Sequence, residues 1–352
     1  MTSIDALILA AGKGTRMASP RPKVLQTLLG ESMLTLVTAT LSSMPRIGNV
    51  LTLVGNGADQ VCAEAGAAAA RLGGTARCIR QERQLGTGHA LMTAMPHLPG
   101  DGSVLVVNGD APLLTADVLN RFLDAALGAD VAFLSLMLDD AASYGRVIRE
   151  RGAVRAIVEA KDFDPALYGP FADAHEVNTG IYLFSLPAVR RLLPRLSCEN
   201  RSGEYYITDL ISLGLADGMD VRGIRAEGAG CEATALLGVN TPAELAAAED
   251  ILARRRTAEL LASGVILHAP QLVRVSPLAT VEGGSELSGP CEICGDSVIR
   301  SGARILSHCV IRDAVIDEGV EIREFCHIEK AEVRRGAIIG PYARLRPQAL
   351  VD

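Results

Sequence analysis

The last 88 residues of the chain repeat with a period of six, and this repeat restricts the possible fold more than any other feature. Branched apolar residues recur at steps of six, with two steps of five, at Val275, Val281, Leu287, Ile293, Ile299, Ile305, Ile311, Ile316, Ile322, Ile328, Val333, Ile339, Leu345 and Val351. Hexapeptide repeats are typical of a parallel β-helix, in which three short strands form each triangular coil and the coils stack. The repeat therefore predicts a solenoid over residues 265–352.

Each hexad also carries a small or β-branched residue four places after the large one, which predicts an interior slot. The slot residues are Ala279, Ser285, Cys291, Ser297, Ala303, Cys309, Val315, Val320, Cys326, Ala337, Ala343 and Ala349. Glu332 breaks this rule, which predicts a local irregularity. Cys291 and Cys294 have zinc-ligand spacing, but no second pair follows, so we interpret the slot cysteines as stacked core thiols. The repeat resembles left-handed β-helix domains.

Residues 1–240 alternate between strand-like and helix-like segments, and they predict a separate α/β domain. Strands are predicted at 6–10, 50–54, 104–107 and 131–135, and helices at 32–42, 57–71, 87–96 and 115–127. Apolar strands separated by helices favour a mostly parallel, Rossmann-like sheet with ligands beyond the carboxyl ends of its strands. Residues 241–264 predict a linker helix, because Pro242 suits its first position and Gly264 its carboxyl-terminal cap.

Charge and apolar pattern exclude several classes of partner. The net charge is −7, and no lysine or arginine run is long enough to follow a nucleic acid backbone. No apolar stretch reaches the roughly 20 residues that a membrane-spanning helix needs. Residues 1–5 lack the basic segment of a signal peptide, and eight cysteines in such a chain indicate reduced thiols. We therefore expect a cytoplasmic protein without nucleic-acid or membrane partners.

A glycine-rich loop follows the first predicted strand, in the segment Leu9–Met17, and Pro22–Leu25 comes shortly after it. A Walker A loop is absent, because its Gly-Lys-Ser/Thr spacing is missing. A dinucleotide fingerprint is also absent, because Met17 stands at its third glycine position and the second strand lacks a ribose-binding carboxylate. The remaining interpretation is a phosphate site formed by backbone N–H groups. Its cations would be Lys13, Arg16 and Lys23.

Further motifs follow this loop in order along the chain. They are Gln81 with Gln84–Ala90, Gly109–Leu113, Tyr144–Arg146, Glu159 with Lys161–Asp162, Glu176–Gly180, Glu204–Asp209 and Gly238–Asn240. Together with the first loop they resemble the uridyltransferase domain of the GlmU family, the bacterial N-acetylglucosamine-1-phosphate uridyltransferases/glucosamine-1-phosphate acetyltransferases. The resemblance implies Mg²⁺-dependent synthesis of UDP-N-acetylglucosamine and pyrophosphate from UTP and N-acetylglucosamine 1-phosphate. This product is a precursor for peptidoglycan and lipopolysaccharide.

The resemblance also implies a role for individual residues. Arg16, Lys23 and Asp110 would be catalytic, and Asp110 with Asn240 would offer Mg²⁺ hard oxygen ligands. The implied nucleotide contacts are Leu9, Ala10, Ala11, Gly12, Gly14, Lys23, Gln81, Gly86 and Thr87. The implied sugar contacts are Gly145, Glu159, Asn178, Thr179 and Thr208.

The side-chain amide of Gln81 can both donate and accept, which matches the imide edge of uracil. The glycines beside Thr87 would let the backbone lie against the base. His89 is interpreted as a packed helix residue rather than a catalyst. For Tyr205 and Tyr206, a core role and a ligand role both stay open.

Two features qualify the resemblance. Asn108 stands where many relatives have tyrosine, so an aromatic contact is missing there. Arg344–Pro347 resembles the start of the family's amino-sugar phosphate site, but the coils that would complete an acetyltransferase are not in this sequence. We therefore expect no acetyltransferase activity from residues 1–352, and we expect a homotrimer through the β-helix. The alternatives are a nucleotidyltransferase for another base or sugar, and a non-catalytic or acyl-transferring β-helix protein.

Overall fold

The computed structural model describes residues 4–139, 141, 144–168, 175–226 and 236–352. The chain divides into two compact units, one of residues 1–26 and 33–241, the other of residues 27–32 and 242–352. Within the described ranges, every helix is too short or too polar to cross a membrane. The cysteines in those ranges are free thiols, and Cys231 lies outside them.

The chain before residue 241 supplies the sheet and helices of the first unit and one hairpin of the second. The strands are β1 (Ile4–Ala10), β2 (Thr27–Leu28), β3 (Glu31–Ser32), β4 (Ile47–Val54), β5 (Arg77–Arg80), β6 (Ser103–Asn108), β7 (Val131–Met137), β8 (Arg146–Glu150), β9 (Ala153–Val158), β10 (Glu176–Ser185) and β11 (Val221–Arg225). The helices are α1 (Met33–Ser42), α2 (Ala58–Arg71), α3 (Thr87–Ala94), α4 (Ala116–Ala125), α5 (Pro165–Tyr168), α6 (Leu186–Leu192) and α7 (Asp209–Ala216).

The sheet of the first unit has the strand order β11-β7-β10-β6-β1-β4-β5, with the β8–β9 hairpin joined to β10. Strand β1 runs parallel to β4 and β6, β4 to β5, and β7 to β11. Strand β10 is antiparallel to both of its neighbours, β6 and β7. The prediction of a mostly parallel sheet is confirmed.

Alternate residues along each central strand pack on opposite faces of this sheet. Ile8 and Val107 belong to one core with α1, α2 and α4, whereas Leu7 and Val106 belong to a second core with α3, α6 and α7. All four of these side chains are fully buried. Because helices cover both faces, the near-continuous apolar runs are explained. The strand ends are thereby held in place for the loops that follow them.

The second unit contains α8 (Pro242–Ala262) and a stack of parallel strands on three faces. The first face holds β12 (Ile266–His268), β15 (Glu286–Ser288), β18 (Arg304–Ile305), β21 (Glu321–Ile322) and β24 (Ile338–Ile339). The second holds β13 (Val273–Val275), β16 (Cys291–Cys294), β19 (Cys309–Arg312), β22 (His327–Glu329) and β25 (Arg344–Leu345). The third holds β14 (Thr280–Val281), β17 (Val298–Ile299), β20 (Val315–Ile316), β23 (Glu332–Val333) and β26 (Leu350–Val351). The predicted left-handed parallel β-helix is confirmed.

The interior slot follows the predicted register except at the two steps of five. Cys291, Cys309 and Cys326 are buried and stack along one face, as predicted. Val315 is only partly buried, whereas Ala314 is 1% exposed, and Ala331 rather than Glu332 is buried next to the later short step. A five-residue step places the slot residue three positions on. The expected irregularity at Glu332 is therefore wrong, because Glu332 pairs in register with Val315 and Leu350.

Residues 27–32 belong to the second unit, although the sequence interpretation placed them in a first domain of residues 1–240. The β2–β3 hairpin is bonded to the rest of this unit. The Leu29 amide donates to Glu249 Oε1 at 3.0 Å, and Ser276 Oγ donates to the buried Glu31 Oε1 at 2.8 Å. The predicted linker, α8, lies in the same unit. These long-range polar bonds have no signature in local periodicity.

Two isoleucines on the same face test the hexad register. Ile305 is fully buried, whereas Ile338 is 60% exposed. Ile305→Ala should lower the free energy of unfolding of the second unit by about 2–5 kcal/mol, because a cavity would replace the buried side chain. Ile338→Ala should change it by about 0.5 kcal/mol or less. Chemical denaturation followed by circular dichroism checks this pair, and equal effects would contradict the register.

Candidate active site

The first loop turns sharply beyond the carboxyl end of β1. Gly14 has a φ of +59°, a left-handed conformation that favours glycine. A Cβ atom on Gly14 would lie 2.5 Å from the Cβ atom of Lys23. Glycine therefore allows the segment that carries Lys23 to pass close to the loop. The Lys23 ammonium group is thereby brought to the end of the sheet.

A cavity of about 480 Å³ opens between this loop, β5 and the amino end of α3, and we call it the nucleotide cavity. It is lined by every residue for which a nucleotide contact was predicted: Leu9, Ala10, Ala11, Gly12, Gly14, Lys23, Gln81, Gly86 and Thr87. Lys13, Asn108 and Asp110 line it as well. The structure thus brings the predicted nucleotide contacts together across 78 positions of the sequence, from Leu9 to Thr87.

A second cavity, of about 240 Å³, adjoins the first, and we call it the sugar cavity. Four of the five predicted sugar contacts line it, namely Gly145, Glu159, Asn178 and Thr179. Arg16 and Asn240 line it too. Both cavities share Leu9, Thr87, Asn108 and Asp110. The two cavities therefore meet where Asp110 follows β6.

Two cationic side chains and two oxygen atoms that accept their hydrogen bonds meet at this junction. The Lys23 ammonium group forms a close ion pair with Asp110 Oδ2 and donates to Asn240 Oδ1 at 3.1 Å. Arg16 donates to the same Asn240 oxygen at 2.9 Å. The Asn240 amide nitrogen donates to the Gly238 carbonyl oxygen at 2.8 Å, which fixes the orientation of the amide. All three predicted catalytic residues thus lie within one hydrogen-bonded group.

Asp110 holds one further carboxylate oxygen in a buried position. Asp110 Oδ1 has no hydrogen-bond partner in the described part of the chain, and a Cβ atom on Gly238 would approach it to 2.6 Å. The Val239 amide donates to the Asp110 carbonyl oxygen at 2.8 Å, so the loop of Asn240 is fastened to Asp110. An unpartnered buried carboxylate oxygen beside an amide oxygen suits a hard divalent cation. Among the described residues, no cluster of three or more acidic, His or Cys residues provides a metal site.

Thr208 is the predicted sugar contact that does not line the sugar cavity. It is buried, and its hydroxyl group donates to Glu159 Oε1 at 3.0 Å. Burial raises the pKa of the Glu159 carboxyl, and the Thr208 hydrogen bond partly opposes this rise. Thr208 therefore acts through Glu159, which faces the cavity. The sequence motifs placed both residues at the sugar site. They did not indicate that Glu159 lines the cavity and that Thr208 contacts Glu159 from the side away from it.

Asn178 and Tyr182 form a pair in β10 that the sequence analysis overlooked. The Asn178 amide donates to the Tyr182 hydroxyl at 2.5 Å, and Asn178 Oδ1 accepts from the Gly180 amide at 3.2 Å. Burial raises the pKa of Tyr182, so its hydroxyl stays neutral. The Thr179 hydroxyl donates to the Leu134 carbonyl oxygen at 2.7 Å, so it anchors the strand. A tyrosine four places after Asn178 was the available signal.

The glycines beside Thr87 allow close packing against the backbone of Tyr205, and the contact of this segment with a base stays a prediction. A Cβ atom on Gly86 would lie 2.5 Å from the Tyr205 carbonyl oxygen, and one on Gly88 would lie 3.0 Å from it. The Gly88 amide donates to that same oxygen at 2.7 Å. Tyr205 and Tyr206 line neither of the two cavities. Tyr206 is buried, and burial raises its pKa to about 12.

The chain is similar to proteins of known families. Residues 6–144 match the family described as the MobA-like NTP transferase domain. The chain is 51% identical over 354 residues to the bifunctional protein GlmU of Nitratidesulfovibrio vulgaris (Hildenborough), and the alignment covers 100% of this chain and 75% of that protein. It is 42% identical over 352 residues to the bifunctional protein GlmU of Lawsonia intracellularis, covering 98% of this chain and 73% of that protein.

A solved structure resembles the fold of the first unit and its sheet. It is the inositol-1-phosphate CTP transferase from T. maritima, with a TM-score of 0.51 and 14% identity over 69% of this chain and 92% of that chain. At this identity the likeness concerns the fold alone. The sequence relatives decide the family, since they match across nearly the whole chain. The chain belongs to the GlmU family, and its first unit is a sugar-1-phosphate nucleotidyltransferase domain.

Proposed function

We propose that this protein transfers the uridylyl group of UTP to N-acetylglucosamine 1-phosphate, forming UDP-N-acetylglucosamine and pyrophosphate. One observation carries the proposal: two adjoining cavities meet at Asp110, and the cationic groups of Lys23 and Arg16 lie at their junction. The larger cavity suits a nucleoside triphosphate and the smaller one a sugar phosphate. The product would supply the synthesis of peptidoglycan and lipopolysaccharide.

The reaction needs alignment and charge neutralisation rather than a protein nucleophile. An oxygen of the sugar phosphate attacks the α-phosphorus of UTP, and a new P–O bond forms. The bond to the β-phosphate breaks, and its electron pair leaves with pyrophosphate. The Lys23 ammonium group and the Arg16 guanidinium group, both held by Asn240, would stabilise negative charge on the phosphoryl oxygens.

We further propose a Mg²⁺ ion held by Asp110 and Asn240. The unpartnered Asp110 Oδ1 atom and the Asn240 amide oxygen are the metal-ligating atoms that support this assignment. The ion would supply charge neutralisation for the triphosphate. The Lys23 ammonium group interacts with both side chains, so Lys23 would balance the charge of the Asp110 carboxylate before the nucleotide binds.

The sugar cavity supplies groups that suit an N-acetylated sugar. The Glu159 carboxylate would accept hydrogen bonds from ring hydroxyl groups, and the Asn178 amide would contact the N-acetyl group. Gly145 lies beside Glu159 without a side chain to obstruct it. Asn108 stands at the boundary of both cavities, where its amide replaces the aromatic ring that many relatives have. We expect this exchange to alter substrate affinity but not the reaction class.

Pyrophosphate release with a panel of substrates tests the proposal. N-acetylglucosamine 1-phosphate with UTP should give the highest kcat/KM, above the glucose and glucosamine 1-phosphates and above dTTP, CTP or GTP as the nucleotide. A higher kcat/KM for another pair would reassign the substrate within the same reaction class. Absence of Mg²⁺-dependent pyrophosphate release with every pair would favour a protein that only binds nucleotides.

The pH dependence of sugar binding follows from Glu159. Since burial raises its pKa, the carboxylate becomes protonated at a higher pH than an ordinary glutamate as the solution is acidified. KM for the sugar phosphate should therefore rise as the pH falls through this raised pKa. Thr208→Val should move the rise to still higher pH, because the Thr208 hydrogen bond lowers the pKa.

The matched control for this prediction is Glu159→Gln, which cannot ionise. Steady-state KM values from about pH 5 to pH 8 should change least for that variant. The sugar phosphate itself titrates in this range, and its contribution is common to all three proteins. Identical profiles for the wild-type protein and Glu159→Gln would remove Glu159 from sugar binding.

Three further expectations stay predictions. We propose that the β-helix forms a homotrimer, and sedimentation equilibrium would measure this. We propose that residues 1–352 do not transfer acetyl groups to glucosamine 1-phosphate, and thiol release from acetyl-CoA would detect the activity. The cytoplasmic location is also proposed.

A further inference from the structure

Both hydrogen atoms of the Gln81 side-chain amide are used inside the protein. Gln81 is 4% exposed, and its Nε2 atom lies 3.3 Å from the Gly86 carbonyl oxygen and 2.9 Å from His89 Nδ1. A carbonyl oxygen can only accept, so the Gln81 atom that faces Gly86 is the donor nitrogen. The second amide hydrogen then points to His89 Nδ1, which accepts it when the ring proton resides on Nε2.

The Gln81 oxygen is what remains for a ligand. Gln81 lines the nucleotide cavity, and the side-chain hydrogen bonds that it forms with other described residues all involve Nε2. The residue therefore offers an acceptor to the cavity and no donor. This corrects the expectation that Gln81 would both donate to and accept from a base.

His89 decides which way this amide faces. The contact with Gly86 is at the long end of the hydrogen-bond range, whereas the contact with His89 is of ordinary length. Turning the amide over would set Oε1 against the Gly86 carbonyl oxygen and, when the ring proton resides on Nε2, against His89 Nδ1 as well. His89 lies in the first turn of α3, with its ring centroid 6.5 Å from that of Tyr205. The position of His89 in α3 thus brings its ring into hydrogen-bond contact with the Gln81 amide.

We propose that His89 is a positioning residue that sets base specificity by holding the Gln81 oxygen toward the base. This inference rests on the proposed use of UTP. Uracil carries a hydrogen atom on N3, which an acceptor can receive, whereas N3 of cytosine bears a lone pair. A fixed acceptor therefore favours uracil and opposes cytosine at this position. Releasing the amide should relax that discrimination.

The test compares equilibrium binding of UTP and of CTP, measured by titration calorimetry. His89→Phe retains an aromatic ring next to Tyr205 but has no acceptor. His89→Asn retains an acceptor near the position of Nδ1. We divide the dissociation constant of CTP by that of UTP. We expect this ratio to fall about tenfold in His89→Phe, and to stay near the wild-type value in His89→Asn.

The ratio separates positioning from a general packing role. A packing defect would weaken the binding of both nucleotides by the same factor and leave the ratio unchanged. An unchanged ratio in His89→Phe would therefore overturn the inference. A wild-type protein that binds CTP as tightly as UTP would also overturn it. His89→Leu, checked by thermal melting, replaces His89→Phe if the larger ring prevents folding. Binding does not require turnover. A wild-type protein that binds UTP selectively but releases no pyrophosphate therefore contradicts the proposed function, while the ratio of dissociation constants still decides the inference about His89.

Discussion

Replacing Asp110 with asparagine should lower kcat for pyrophosphate release by about two orders of magnitude or more. Asp110 is the anionic group at the junction of the two cavities, and its ion pair with Lys23 would be lost. Its buried Oδ1 atom, which we assign to Mg²⁺, would also lose its charge. Initial rates at saturating substrates, over a series of Mg²⁺ concentrations, measure the effect.

Asp117→Asn is the matched control, because Asp117 is an exposed carboxylate in α4 that pairs with Arg121. That variant should retain wild-type activity. Asp110→Asn should keep its fold, since the backbone carbonyl group of Asp110 still accepts from Val239. Near-wild-type kcat at saturating Mg²⁺ in Asp110→Asn would exclude Asp110 from the reaction.

Removing the Arg16 side chain should lower kcat by about 100-fold while raising KM for either substrate by much less. The guanidinium group lines the sugar cavity and donates to the oxygen that Lys23 also contacts, so we place it at the proposed point of attack. Its charge matters most while the α-phosphate reacts. Full steady-state kinetics in both substrates separate the two constants.

Arg16→Lys provides the informative comparison, because it retains a charge but loses the planar set of donors. It should recover part of the lost kcat. Arg121→Ala, on the exposed face of α4, is the control for loss of a surface arginine. A rise in KM with unchanged kcat in Arg16→Ala would limit Arg16 to substrate binding.

Local pattern was sufficient for most elements of the fold. The apolar runs predicted β1, β4, β6 and β7, and the hexads predicted the β-helix, because a buried residue every six positions leaves few other structures. The antiparallel β10 was not predicted, since periodicity does not specify the direction in which a strand enters a sheet. The position of Ala314 depended on how a five-residue step is accommodated, which only the stacked coils reveal.

The candidate site shows the same division between local and long-range information. Motif resemblance indicated Gln81, Glu159 and Asp110, because each belongs to a short ordered segment. It did not indicate that Thr208 lies behind Glu159, or that His89 holds Gln81, because both relations join segments through space. Chemical type identifies which residues can bind a ligand. Their hydrogen-bond partners determine which atom is presented.

Transfer of label from UTP to the sugar nucleotide tests the central claim most directly. The wild-type protein is incubated with Mg²⁺, N-acetylglucosamine 1-phosphate and UTP labelled at the α-phosphate, and the products are separated by chromatography. Direct attack at the α-phosphorus predicts that all transferred label appears in UDP-N-acetylglucosamine, with unlabelled pyrophosphate and no label on the protein. Label bound covalently to the protein, or no labelled sugar nucleotide when both substrates are present, would contradict the account.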